Sequence, residues 1–370
     1  SAKTVVDNAD NVVIKPDFDS AVIANLPDQV LASRTADRTA SFVWRPRWRY
    51  SGINGVRLPG IALSKDKSIL ALVETTGESN GPFGSRIVYY NTYNWKVLRI
   101  SNFDRQRIGA ITFMDRAGYF LAALIQRQSV FKQPSDLLAL IDVTTGKIVW
   151  QTKVDSAKET TVGAAGKFML VKGNTATKLL IYEFEGQGAE PVIREPVECG
   201  LGRAVICAWS DGRTVAVSDD SKIRIIDVNA AEAVREIAVP SGTAVASMVF
   251  AGSKDRLAVS LLNGQGMLYE DGLRREMGRN AGGTLLFDGG ELLFIEDLAR
   301  YSLTPLELAQ LTPQRNIKPD NLPPKTMGYM MFCELLPGER IMAVSNFGDI
   351  IELRKNKTRW LKKVVTSALR

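Results

Sequence analysis

The chain has 370 residues, 45% apolar and 24% charged, with 30 glycines and 15 prolines, the composition of a folded protein rather than a disordered or collagen-like chain. Its net charge is +7 and it contains no histidine, which excludes Ser-His-Asp and Cys-His nucleophiles, histidine-ligated metals and imidazole proton shuttles. Three cysteines fall one short of a four-thiolate zinc site, and no window reaches the roughly 18 apolar residues of a membrane helix.

Residues 1–40 are polar and hold Asp7, Asp10, Asp17 and Asp19. They read as an arm or a closing segment; residues 7–11 (DNADN) lack the glycine and terminal Glu of a calcium loop, so no metal site is assigned. Ser1-Ala2 suits a processed N-terminus and equally the removal of an initiator Met. Next, Arg45, Arg47 and Arg49 alternate with Trp44, Pro46, Trp48 and Tyr50. That alternation describes a strand with its arginines in water, or a basic patch for an anionic surface.

A repeating unit then begins. Residues 60–64 and 68–73 read as strands about the turn 65–67, followed by the Gly-rich loop 75–85 with Phe83, strand 86–90, turn 91–94 and strand 95–100. From Ile108 the unit recurs as 110–113, 118–125, a long loop 126–136 with Phe131, then 137–142 and 147–150. It returns near Thr161 with 167–171 and 178–183, and near Ala204 with the turn Ser210-Asp211-Gly212 and strands 214–217, 222–227 and 233–237. A fifth starts near Ala244, a sixth near Thr284 and a seventh near Tyr329, the last through 340–344, 349–353 and 358–361. In the sixth, Thr304-Pro305 with Glu307 predicts a short helix over 303–311, as an N-cap followed by proline at the first helical position.

Counting from Ile61, successive starts lie 40 to 53 residues apart, the period of propeller blades. Apolar runs of four to eight residues exclude helical solenoids, which need two stripes at 3.6 spacing. The expected fold is all-β: a single β-propeller over 41–370 with about seven four-stranded blades, or eight if the first 60 residues add to the ring. Stacking buries the two apolar faces that each blade exposes.

The run 138–150 (LALIDVTTGKIVW) resembles the Asp-x-x-Thr-Gly-Lys-x-x-Trp turn of quinoprotein-type propellers, in which the Trp docks on a neighbouring blade. Residues 223–228 (IRIIDV) resemble the third strand of WD40 and YVTN-type blades. The corresponding turns at 91–94, 229–232 and 270–272 lack Thr-Gly-Lys, and the Gly-His element of WD40 blades is absent with histidine itself. The resemblance implies a WD40-like or quinoprotein-like propeller, a class made mostly of protein-binding platforms with some enzymes. It leans the compartment toward export, with cytoplasm and cell envelope both open. A quinone is not expected, because the enzymes that bind one repeat the Trp motif through most blades.

Candidate binding residues follow from where loops fall. Arg105, Arg107, Lys158, Arg203 and Arg279, with Lys318 and Lys325, lie in stretches expected to join one blade to the next, on one face of the ring. Phe83 and Phe131 sit on the longest loops and are candidate partner contacts. Residues 354–370 carry seven Lys or Arg, Lys362 and Lys363 among them, and no acid. The pairs Asp219-Asp220 and Glu296-Asp297 close second strands, where adjacent residues point to opposite faces and serve turns better than a shared site. Cys207 and Cys333 lie in apolar runs and read as buried, and Cys199 and Cys207 could bridge only from adjacent strands.

The function expected is a non-catalytic scaffold binding a protein or polymer on the loop face, with no catalytic residue or cofactor assigned. The alternatives are a carboxylate-dependent enzyme, glycan-active or metal-dependent, at the channel mouth, and a polyanion or anionic-surface binder at the basic C-terminus. No specific nucleic acid and no membrane span is expected.

Overall fold

The computed structural model describes residues 4–6, 12–14, 42–43, 60–76, 85–103, 106–115, 119–127, 136–154, 160–173, 176–185, 190–202, 204–219, 222–279, 285–287, 292–297, 302–307, 312–313, 330–338, 340–345, 350–356 and 359–366. These residues form strands and turns. Among them, no helix is long and apolar enough to cross a membrane.

Strands β1 (Thr4–Val6) and β2 (Val12–Ile14) pair as an antiparallel ribbon. In the first large sheet, β3 (Phe42–Val43) and β4 (Ile61–Leu63) both pair with β5 (Ile69–Thr76), which continues to β6 (Ser85–Asn91) and β7 (Val97–Phe103). The second sheet is β8 (Gln106–Asp115), β9 (Tyr119–Arg127), β10 (Asp136–Asp142) and β11 (Lys147–Val154) in that order. These two sheets and the ribbon belong to one compact unit.

The second unit holds the other five sheets. The third comprises β12 (Thr160–Ala165), β13 (Phe168–Gly173) and β14 (Lys178–Glu183), whose outer edge is shared by β15 (Val192–Ile193) and β16 (Val197–Glu198). The fourth is β17 (Ile206–Ala208), β18 (Thr214–Ser218), β19 (Lys222–Asp227) and β20 (Glu232–Ala238). The fifth is β21 (Val245–Phe250), β22 (Arg256–Leu261), β23 (Gln265–Glu270) and β24 (Leu273–Arg279). The sixth is β25 (Leu285–Phe287), β26 (Leu292–Asp297), β27 (Ser302–Glu307) and β28 (Thr312–Pro313). The seventh is β29 (Met330–Leu336), β30 (Arg340–Ser345), β31 (Ile350–Asn356) and β32 (Arg359–Thr366). Every pairing is antiparallel and, apart from β3 with β5 and β16 with β14, joins neighbours in sequence, which short turns permit.

Burial differs between strands of one sheet. β6 and β18 are buried along their whole length, β11 alternates and β20 is largely exposed. A central strand buried on both faces has another sheet against each face, and the cores show this. Ile87 and Tyr89 of the first sheet pack with Leu121, Ile125 and Leu137 of the second. Leu170 and Ile181 of the third pack with Val215 and Val217 of the fourth. Ile223 and Ile237 of the fourth join Leu257 and Met267 of the fifth, where Trp209 meets Phe250 edge to face at 5.9 Å.

The turns between third and fourth strands of the first, second and fourth sheets share one device. Asn91 Oδ1 accepts from the Tyr93 and Asn94 amides (2.9 and 3.1 Å), Asp142 Oδ1 from the Thr144 amide (2.8 Å), and Asp227 Oδ1 from the Asn229 amide (3.0 Å). A left-handed residue follows each, Trp95 (φ 60), Gly146 (φ 68) and Ala231 (φ 55), along with a register shift in the hairpin. The Asx turn therefore persists at 91–94 and 229–232, where Thr-Gly-Lys does not. Glycine is required at 146, since a Cβ there would lie 2.8 Å from Ser101 Oγ in the preceding sheet.

Two expectations are corrected. The segment read as a helix over 303–311 begins as strand β27, with Pro305 opposite Phe294. β28 pairs only Leu306 and Glu307, so the ladder at Pro305 is one-sided, a setting where a strand tolerates a residue without an N–H. Among the cysteines, Cys199 is buried and Cys207 only half-buried, and the two are not joined in a disulfide. The Cys333 side chain lies outside the described residues.

Candidate functional site

In each sheet the start of the first strand, the end of the second, the start of the third and the end of the fourth coincide. In the second sheet Gln106 faces Arg127, and Asp136 faces both Gln126 and Val154. Connections between sheets therefore enter and leave at the end that carries the second-to-third loop. That loop end is where sequence reasoning looked for a site.

The loop end is best described where the third sheet connects to the fourth. Asp219 follows β18 and is buried. Its Oδ1 accepts from the Lys222 amide at 2.7 Å, and its Oδ2 accepts from the Gly200 amide at 3.0 Å and pairs with the Arg224 guanidinium. Arg224 Nε also meets Glu236 at 3.0 Å, and Lys222 Nζ reaches the other Glu236 oxygen at 2.7 Å. Burial works against the Arg224 cation, but the Asp219 hydrogen bond and charge outweigh it and hold its pKa above the usual value. Gly200 is constrained by the same contact, because a Cβ would stand 2.6 Å from Asp219 Oδ2.

Beside this network Lys172, with no exposed surface, donates Nζ to the carbonyls of Gly173 (2.9 Å), Ala176 (2.6 Å) and Gly202 (3.4 Å). Buried next to it, the Cys199 thiol is pushed up by desolvation, which the Arg224 and Lys172 charges offset only in part. Ser218 Oγ accepts the Val205 amide at 2.9 Å. The connection over 199–205 is thus tied at both ends to second-to-third loops. A carboxylate that already serves two amides and a guanidinium is a structural pin, so the Asp219 half of the Asp219-Asp220 pair is turn chemistry; Asp220 lies outside the described residues.

The pinned chain presents apolar surface. Leu201, between Gly200 and Gly202, is 56% exposed, and Leu262 in the β22–β23 turn is 43% exposed. Leu262 is held in place too, its amide donating to Ala244 in the connection from the fourth sheet at 2.9 Å. Sequence reasoning missed both leucines. The available signal was an isolated Leu set among turn formers, as in Gly200-Leu201-Gly202 and Leu262-Asn263-Gly264.

Of the candidates named from sequence, Arg107 is the second residue of β8, opposite Gln126, and Arg279 ends β24, opposite Gln265. Each stands at the loop end of its own sheet, inside a strand rather than in a connection. Lys362 and Lys363 lie in β32, opposite Leu353 and Glu352. Arg45, Arg47, Arg49, Phe83, Arg105, Phe131, Lys158, Arg203, Lys318 and Lys325 lie outside the described residues. Glu296 and Asp297 end β26, opposite Leu303 and Ser302.

No family model matches this sequence, and no curated protein matches it. Solved structures do resemble it. A chain of a mitotic checkpoint complex crystal structure superposes with a TM-score of 0.59 at 12% identity, covering 86% of this chain and 97% of that one. Hsv2 from Kluyveromyces lactis gives 0.55 at 15% identity (84% and 98%), and its form with loop 6CD replaced by a Gly-Ser linker gives 0.56 at 13% (84% and 97%). At such identities the likeness is one of fold, and the fold of this chain is a WD40-like β-propeller.

Proposed function

We propose that this protein is a non-catalytic scaffold that holds a protein partner on the loop end of its sheets. The observation that carries this reading is the pairing of anchoring with exposed apolar surface: Leu201 and Leu262 stand in water on segments held by hydrogen bonds to neighbouring connections and sheets. A preorganised apolar contact loses little entropy on binding, which favours an interface over a mobile lid. The fold supports the same reading, and one of the similar structures was determined within a multi-protein complex. Arg279, which ends β24 at the loop end of the fifth sheet, would add positive charge there, suiting an acidic partner.

The test compares three proteins immobilised in extract from the source cells. The wild type should retain a partner that Leu201→Asp/Leu262→Asp loses and Leu273→Asp keeps, since Leu273, 70% exposed, lies at the opposite end of the fifth sheet. Equal capture by all three, or loss in the Leu273 variant alone, overturns the proposal.

A further inference from the structure

The outer strands of the sheets differ in how their charges are satisfied. On β20, Glu236 is taken by Lys222 (2.7 Å) and Arg224 (3.0 Å) of the neighbouring strand. On β24, Arg274 pairs with Glu276 (3.5 Å) and Arg275 with Glu270 (3.9 Å). On β11, the outer strand of the second sheet, Lys147 and Lys153 are exposed and neither ammonium has an ion pair among the described residues.

Burial alternates along β11: Lys147, Val149, Gln151 and Lys153 are exposed, and Ile148, Trp150 and Thr152 are half-buried. The strand has eight residues and no proline, and among the described residues it pairs with β10 alone. An open edge of this length is a template for a further strand. The first sheet, in the same compact unit, has an outer strand that is covered. β7 is buried at every position but Asn102, and the N-terminal ribbon lies against it through β2. An outer strand of this protein can thus take an extended segment against it.

The lysines decide between occupants. If β11 of a second copy paired antiparallel about Trp150, Lys147 of each molecule would face Lys153 of the other. Like charges would then stand opposite one another twice, which destabilises a sheet, whereas a strand with acids at those positions gains at both.

We infer that the open edge of β11 takes up an extended acidic segment of a partner protein as an added strand, its acids meeting Lys147 and Lys153. The lysines are six residues apart, so the acids that meet them fall about 20 Å apart, at ~3.4 Å per residue of strand. Backbone hydrogen bonds supply the affinity of such an addition, and the exposed row of side chains its specificity. This surface is the side of one sheet and does not rest on the loop-end reading.

Fluorescence anisotropy of a labelled peptide of alternating Glu and Val, titrated with the full chain, tests it. Binding is expected at low ionic strength and should fade as salt shortens the Debye length. Lys147→Glu/Lys153→Glu should weaken it about tenfold or more. The same variant should bind a peptide of alternating Lys and Val, which also reports that it is folded. Successive residues of a strand turn their N–H groups to opposite edges, so N-methylating the Glu peptide on its Glu or on its Val residues blocks one edge at a time. One form should lose binding and the other keep it. Leu201→Asp/Leu262→Asp should bind the peptide as the wild type does, which separates this surface from the loop end. No binding of the Glu peptide, binding indifferent to the lysine swap, or equal effects of the two N-methylated forms overturns the inference.

Discussion

The loop end between the third and fourth sheets and the β31–β32 hairpin are both dense in charge, yet they are built on opposite terms. In the first, Asp219, Arg224, Glu236 and Lys222 form an alternating chain of opposite charges, two of them largely removed from water. In the second, six cations share a hairpin whose single acid is turned to an internal partner. Charges that must hold a connection in place are balanced within the chain, because a buried ion without a partner is costly.

Removing the centre of the balanced region should have the largest effect. Asp219→Ala strips the acceptor from two amides and from Arg224, and should cost about 3 kcal/mol in denaturant unfolding, the scale for breaking a buried pair. A cost below about 1 kcal/mol would show that the network is no pin. Gly200→Ala attacks the same joint by volume. It should cost about 2 kcal/mol through its 2.6 Å clash with Asp219, and combined with Asp219→Ala it should cost less than the sum, since the clash leaves with the carboxylate.

Glu183 extends the comparison to pH. Burial raises its pKa, but the Lys167 and Arg194 hydrogen bonds and charges prevail and hold it below the usual 4.5. A carboxylate depressed in the folded state contributes stability that is present above its unfolded pKa and lost as pH falls through the folded one. Acid titration of stability should therefore be shallower in Glu183→Gln below about pH 4.5. A slope identical to the wild type would remove Glu183 from the balanced set. At the small end, Lys362→Gln/Lys363→Gln should shift unfolding by no more than about 0.5 kcal/mol, because these charges do not hold the sheet together. A loss above about 2 kcal/mol would make the hairpin charges structural and erase the contrast.

Much of the fold could be read from the chain. Strands β5, β6, β18 and β19 follow from short apolar runs with turn residues at both ends, and the turns at Asp142 and Ser210-Asp211-Gly212 follow from side chains that bond their own backbone two or three residues on. Such signals are local, and short-range chemistry is what a sequence displays directly. The segment at 303–311 shows the limit. Thr304-Pro305 has the form of a helix start, but pairing of β27 with β26 overrides it, and nothing within the segment announces that partner. The broken outer edge of the third sheet, split into β15 and β16 around Pro196, was likewise invisible until β14 was seen to pair with both pieces.

For the candidate sites the division is sharper. Charge was legible: the zero count of histidine, the basic run from Arg354 to Arg370 and the glutamates of 183–198 are plain in the residues. What those charges meet was not. Asp219 reaches Gly200 across 19 residues, and Lys172 reaches Gly202 across 30. Only the stacking of one sheet on another brings such groups within hydrogen-bond distance. The sequence by itself determined the rhythm of strands and turns, since that depends on each residue's own backbone and its near neighbours. The tertiary structure decided which carboxylates are consumed in holding connections and which leucines stay exposed, because burial and pairing are properties of neighbours distant in the chain.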